Sequence, residues 1–321
     1  MKKTLIIFLL SIAVLAGCKK EEPYNKIPAD LLIAGYLPSW GMDNIDLNML
    51  DDLDIVYYFS ITPDQEGGFY IPEGMDDNIT IIKNQIEGSG TRLFIVIGGY
   101  YESEYIFPMA EDPDKRISYV TNLMQFCRER HIDGVDLDWE GYPEPITHDD
   151  FISLINTLSD STKANNMMFS VAMTASESEY TASFQEQIDY VNVMTYGFFD
   201  NEGNQVPLDM FADYTYRYVS AGVPKEKIIM GVPFYAKRPY VEGDTSPRYY
   251  VYRDIVELTM PEPSSNNYGV YSYNGRDLLR AKTNFLIRYG TGGIMAWELS
   301  MDVALNSPYS LMAAILSEAG R

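Results

Sequence analysis

Asp133-Gly134-Val135-Asp136-Leu137-Asp138-Trp139-Glu140 is the stretch from which both the fold and the chemistry are read. Side chains alternate faces along an extended strand. Asp136, Asp138 and Glu140 therefore share one face, with Gly134 below them, and Val135, Leu137 and Trp139 take the other. The apolar set marks the side that helices cover, so the three carboxylates point inward. Burying a charge costs several kcal/mol unless it is partnered, which makes an inward row of acids a functional arrangement. Asp138 stands about 7 Å behind Glu140, from two residues at about 3.3 Å rise. Like charges at such spacing disfavour double ionisation, and a carboxyl kept protonated near neutral pH is what a general acid requires. Glu140 comes last and is the candidate proton donor. Three other readings stay open here: a divalent-metal site, a solvated edge strand, and a degenerate site kept for binding. Against the first, the stretch lacks the turn glycine and loop setting of a calcium loop. Against the second stands the outward Val-Leu-Trp set.

Outward from this stretch, short apolar runs alternate with amphipathic segments. The runs at residues 31–36, 55–60, 92–98, 134–139, 169–174, 190–195, 228–233 and 293–297 are nearly continuous in Val, Ile, Phe and Met, as strands covered on both sides are. Residues 116–130, 149–165, 209–221 and 276–289 carry helical spacing. Eight such strands with helices between them predict a closed parallel (β/α)8 barrel, a TIM barrel, as a single domain over residues 31–321. The chain has 321 residues with 46% hydrophobic content, enough for one barrel of about 250 residues. The longest interruption, residues 237–274, is rich in Tyr, Pro and Ser; it follows the seventh strand and so belongs to the catalytic end.

A net charge of −22 excludes nucleic acid and anionic membrane surfaces as partners. The expected substrate is neutral or cationic. Lys2 and Lys3 followed by an apolar run to Ala16 read as a secretory signal peptide, residues 1–17, too short to span a bilayer comfortably. Leu15-Ala16-Gly17-Cys18 resembles a bacterial lipobox, which makes Cys18 the expected lipidation site and residues 18–30 a tether. The acidic pair Glu21-Glu22 resembles the surface-export signals of Bacteroidetes lipoproteins. The expected location is the bacterial outer membrane, periplasmic or cell-surface, held by the lipid anchor alone. Cys127 is then the one other cysteine and reads as a buried apolar filler. His131 and His148 cannot build a His-rich zinc site or a Ser-His-Asp triad by pattern. No metal and no cofactor are expected.

The quoted stretch fits Asp-Gly-x-Asp-x-Asp-x-Glu, the fourth-strand signature of glycoside hydrolase family 18, the chitinase and endo-β-N-acetylglucosaminidase family. The resemblance extends over most of the chain after residue 30. Gly35-Tyr36 and Trp40 resemble its first strand, Val96-Ile97-Gly98-Gly99 its third and Val193-Met194-Thr195-Tyr196 its sixth. Gly231-Val232-Pro233-Phe234-Tyr235 resembles the seventh, and Gly293-Ile294-Met295-Ala296-Trp297-Glu298 the eighth. The resemblance implies substrate-assisted catalysis with retention. Glu140 protonates the glycosidic oxygen, the sugar's own acetamido carbonyl attacks the anomeric carbon, and Asp138 accepts from the acetamido N–H. Tyr196 hydrogen-bonds the acetamido oxygen, Trp297 floors the −1 sugar with Met194 beside it, and Tyr36 hydrogen-bonds Asp136. This mechanism is an exception to the two-carboxylate rule, so carboxylate separation does not predict stereochemistry. Tyr100, Tyr101, Tyr235 and Phe198 are candidate stacking platforms.

Two departures bear on function. Val96 stands where the third-strand motif begins with Ser, which leaves Asp136 one donor short and predicts a raised pKa for it. Gly197 stands where many chitinases carry Asp, and the 237–274 segment is short; together they predict a more open cleft. Three functions follow: a chitinase-like hydrolase cutting β-1,4 linkages beside N-acetylglucosamine, an endo-β-N-acetylglucosaminidase acting on N-glycan cores, and a non-catalytic glycan-binding lipoprotein. Silent relatives usually lose the terminal Glu, and Glu140 is present. The partner throughout is an N-acetylglucosamine-containing oligo- or polysaccharide, taken up by a monomer.

Overall fold

The computed structural model describes residues 31–101, 103, 106–140 and 148–321. The expected signal peptide, tether and lipidation site at Cys18 lie outside the described residues.

Eight strands form the barrel: β1 (Leu32–Pro38), β2 (Ile55–Pro63), β3 (Arg92–Gly98), β4 (Gly134–Asp138), β5 (Met168–Thr174), β6 (Tyr190–Met194), β7 (Ile228–Pro233) and β8 (Gly293–Trp297). Each pairs in parallel with its neighbours in sequence, and β8 pairs with β1 to close the sheet. This is the (β/α)8 barrel that the alternation of buried runs predicts. Helices cover the outside. The one before β4 (Pro113–Glu129) starts where Asp112 caps the N–H groups of Asp114 and Lys115 and Pro113 presets the first turn. Arg276–Tyr289 matches its expected range, and His148–Ala164 and Leu208–Ala221 match theirs to within a residue.

Two apolar layers result from the strand alternation. Val135, Leu137 and Trp139 lie in the outer layer between sheet and helices, where the Trp139 ring stacks on Phe151 at 5.5 Å. Tyr36, Tyr57, Phe94, Val96, Met194 and Met295 fill the inside, and Asp136 and Asp138 are buried among them. The inward direction of the acids is as the sequence predicts. Gly134, one layer below Asp136, makes room for Phe94: a Cβ there would sit 2.5–2.7 Å from that ring. Gly134→Ala should overpack the barrel floor and lower stability by about 1–3 kcal/mol, read as a lower urea midpoint at unchanged slope.

The insertion after β7 is a small folded unit. Tyr235–Lys237, Tyr249–Val251, Asn267–Tyr268 and Tyr271–Ser272 form a four-stranded antiparallel sheet with the helix Tyr252–Thr259. Sequence periodicity gave no elements here, because two- and three-residue strands are too short to show a period. It returns to the barrel through the buried Asn274, which donates to the Gln205 carbonyl at 2.8 Å.

Candidate active site

Asp136, at the centre of the barrel, is fully buried and satisfied by three donors. Tyr36 on β1 donates to Oδ2 at 2.8 Å. Ser170 on β5 and Asn192 on β6 donate to Oδ1 at 2.5 and 3.0 Å. Asn192 also reaches the Tyr36 hydroxyl at 3.0 Å. The Tyr36 contact is the one the resemblance implies. Ser170 and Asn192 were not singled out from sequence, although strand alternation exposes them: Asn192 lies two residues below Met194 on the same inward face.

These contacts correct the expectation built on Val96. Val96 sits beside Asp136 in register on one side, and Ser170 sits beside it on the other. The hydroxyl absent from β3 is supplied by β5, so Asp136 is not short of a donor. Its pKa is nevertheless raised to about 6, because burial outweighs the three hydrogen bonds. The direction is as expected and the cause is desolvation. Removing the strongest counterweight, Ser170→Ala, should move the Asp136 ionisation further above 6, and Val96→Ser in that background should bring it back. Carboxyl NMR titration of the two variants reads both shifts.

One layer up, Asp138 is 3% exposed. Its charge acts on the phenols of both Tyr36 and Tyr196, so both lie within its electrostatic reach. Burial, first, and these carboxylates, second, keep both phenols protonated far above their ordinary range. Both are therefore neutral donors at any physiological pH. The Tyr196 hydroxyl has no hydrogen-bond partner among the described residues.

Glu140 follows β4 and is half-buried, with its charge felt by Tyr196, Tyr235 and Lys237. The backbone around it is tied to the loop after β3. Gly99 N–H donates to the Asp138 carbonyl at 2.7 Å. Glu140 N–H donates to the Ser103 hydroxyl at 3.1 Å, and that hydroxyl donates to the Gly99 carbonyl at 2.6 Å. The close approach explains the glycine pair in Val96-Ile97-Gly98-Gly99. Gly98 has φ +89°, and a Cβ there would lie 2.5 Å from the Asp138 carbonyl.

Trp297 ends β8 and is half-buried over the cluster, 5.4 Å from the Tyr36 ring and 5.2 Å edge-on to Phe59. The Phe59–Ser60 and Trp297–Glu298 peptide bonds are cis. Met194 lies in the same inner layer, with Trp297 and Tyr196 packed against that layer. Tyr235 stands edge-on to Tyr196 at 6.4 Å. The structure thus gathers Tyr36, Asp136, Asp138, Glu140, Met194, Tyr196, Tyr235 and Trp297 at one end of the barrel. Tyr101 is apart from them: it is 86% exposed beyond β3, and its described ring contact is Tyr100 at 5.1 Å. Phe198 packs on Tyr214 at the helix layer.

A parallel eightfold barrel with an inward ladder of acids at its C-terminal mouth, walled by tyrosine and tryptophan, is the architecture of a glycoside hydrolase. Residues 32–302 match the model of the glycosyl hydrolases family 18, and the chain belongs to that family. Human chitinase-3-like protein 2 is 22% identical over 360 residues, covering 83% of this chain and 92% of that protein. The chitinase ChiB from the chitin utilization locus of Flavobacterium johnsoniae superposes with a TM-score of 0.79 at 20% identity, over 90% of this chain and 94% of that one. YKL-39, solved in the presence of chitooligosaccharides, superposes with a TM-score of 0.75 at 18% identity, over 90% of this chain and 100% of that one.

Proposed function

We propose that the protein is a retaining, chitinase-like hydrolase that cuts β-1,4 linkages beside N-acetylglucosamine by substrate-assisted catalysis. The observation that carries this reading is the vertical order of the acids: Asp136 buried and held by three donors, Asp138 above it with its charge acting on two phenols, and Glu140 outermost and half-open. In that order each acid has a separate task. Glu140 gives its proton to the leaving oxygen and later takes one from water. Asp138 accepts from the acetamido N–H and turns that group's carbonyl toward the anomeric carbon. Tyr196, a donor whose hydroxyl no described residue occupies, holds the same carbonyl, and Trp297 supplies the apolar floor. Positioning of this kind replaces a protein nucleophile by a neighbouring group at high effective concentration.

The reading is tested by incubating the protein with chito-oligosaccharides and, separately, with an N-glycoprotein. Release of short N-acetylglucosamine oligomers with the β configuration retained supports the chitinase-like reading. Release of N-glycans alone moves the assignment to an endo-β-N-acetylglucosaminidase. Binding of either without release marks a glycan-binding protein.

A further inference from the structure

The first strand of the insertion, Tyr235–Lys237, pairs antiparallel with Tyr249–Val251, with Lys237 directly opposite Tyr249. Alternate residues share a face, so Tyr235, Lys237 and Tyr249 form one surface. That surface borders the catalytic cluster: the Tyr235 ring meets Tyr196 at 6.4 Å on one side and Tyr249 at 6.5 Å on the other. Lys237 also fills the notch at Gly197. A Cβ on Gly197 would lie 2.9 Å from Lys237 Nζ and 3.8 Å from the Tyr235 hydroxyl. Where many chitinases carry an acid, this chain has a glycine with an ammonium beside it.

A second cation lies within electrostatic reach of the first. Arg248 precedes Tyr249, its charge acts on Lys237, and its guanidinium lies 5.1 Å from the Tyr240 ring. Its Nε is buried with no hydrogen-bond partner among the described residues. Neither Lys237 nor Arg248 makes an ion pair among the described residues. The chain has 46 acidic residues against 24 basic ones, so two cations with no ion pair among the described residues run against its own supply of partners. Two like charges that act on each other at half-buried positions are costly unless an anion joins them. Among the described residues, the acid whose charge reaches Lys237 is Glu140, the proposed proton donor.

We propose that Lys237 and Arg248 form an anion-accepting subsite beside Glu140, and that the preferred substrate is an N-acetylglucosamine glycan bearing a carboxylate on a sugar next to the scissile bond. This rests on the hydrolase reading above and narrows its substrate class, departing from the neutral or cationic substrate that net charge alone suggests. The substrate carboxylate ion-pairs with the Lys237 ammonium at the Gly197 notch, Arg248 supplies the second charge, and Tyr235 and Tyr249 stack the sugar rings.

The probes are chito-oligosaccharides and the same oligosaccharides oxidised to carboxylates at C6, compared by kcat/KM. The wild type should favour the carboxylated probe by about tenfold, the scale of one partly desolvated ion pair. Lys237→Met should bring the ratio close to one. Gly197→Asp should do the same by placing an internal carboxylate against Lys237, since Asp tolerates the left-handed backbone at φ +78°. A wild-type ratio of one or below, or a ratio that Lys237→Met leaves unchanged, overturns the proposal. If neither probe is hydrolysed, the hydrolase reading fails on its own. Calorimetric binding of both probes to Glu140→Gln protein, with and without Lys237→Met, then decides the charge preference separately.

Discussion

Glu140→Gln should lower kcat on chito-oligosaccharides by about 10³-fold while leaving KM within a few-fold of wild type. The size follows from what the amide removes. In the proposed mechanism, proton donation to a poor leaving group and the later activation of water both pass through this one carboxyl, and general acid–base catalysis contributes about 10²–10⁴-fold. The geometry keeps the loss confined to chemistry. Glu140 backbone N–H is held by Ser103, so the substituted side chain stays in place. The Trp297 ring and the phenol of Tyr196 do not depend on Glu140 for their packing. An unfolded variant would be seen as a fall in the unfolding midpoint, which this substitution at a half-open position should not produce. Turnover retained within tenfold would show that another group supplies the proton, and the roles assigned to the ladder would fall with it.

How far the sequence reaches is visible in the same residues. The barrel was legible because eight buried runs are spaced by helical segments, and a residue inside a run has a face fixed by counting from its neighbours. That is why the inward direction of Asp136 and Asp138 follows from Val135, Leu137 and Trp139. The support of Asp136 was misread for a physical reason. A motif read along one strand shows only that strand's donors, whereas a barrel carboxylate is served from both lateral neighbours and across the lumen. Ser170, Asn192 and Tyr36 come from three strands separated by up to 156 residues. The cation pair was illegible for a related reason. Lys237 ends a three-residue strand too short to show a period, Arg248 immediately precedes another, and the approach of Lys237 to the Gly197 notch depends on the antiparallel pairing of the insertion.

Asp136→Asn should make the protein more stable at pH 7 and less active by about 10²-fold. The stability half is a linkage argument. The carboxyl titrates near 3.8 when exposed and is raised to about 6 in the folded chain. Below about pH 4 it is protonated in both states and contributes nothing. As pH rises from about 4 to 6 the unfolded chain releases this proton while the folded chain keeps it, so stability falls with pH across that window. Above about 6 the full penalty of an ionised buried carboxyl stands, about 3 kcal/mol for that displacement. An amide removes the penalty but sacrifices one of the three donor contacts, worth about 1–2 kcal/mol. The net gain at pH 7 is then about 1–2 kcal/mol, absent or reversed at pH 4. Asp302, also buried and raised to about 6, gives the wild type a similar slope, so the measurement is the difference between wild-type and variant urea midpoints at each pH. In the proposed mechanism the activity half has the opposite sign, because the ionisable group there serves Asp138. A neutral amide beneath Asp138 can neither hold nor yield a proton as positive charge develops on the substrate's acetamido group. Function at this position thus opposes stability, as buried charged groups at active sites commonly do. Parallel midpoint curves for wild type and variant from pH 4 to 8 would show that Asp136 does not titrate in this window, and the pairing of its proton with catalysis would have to be abandoned.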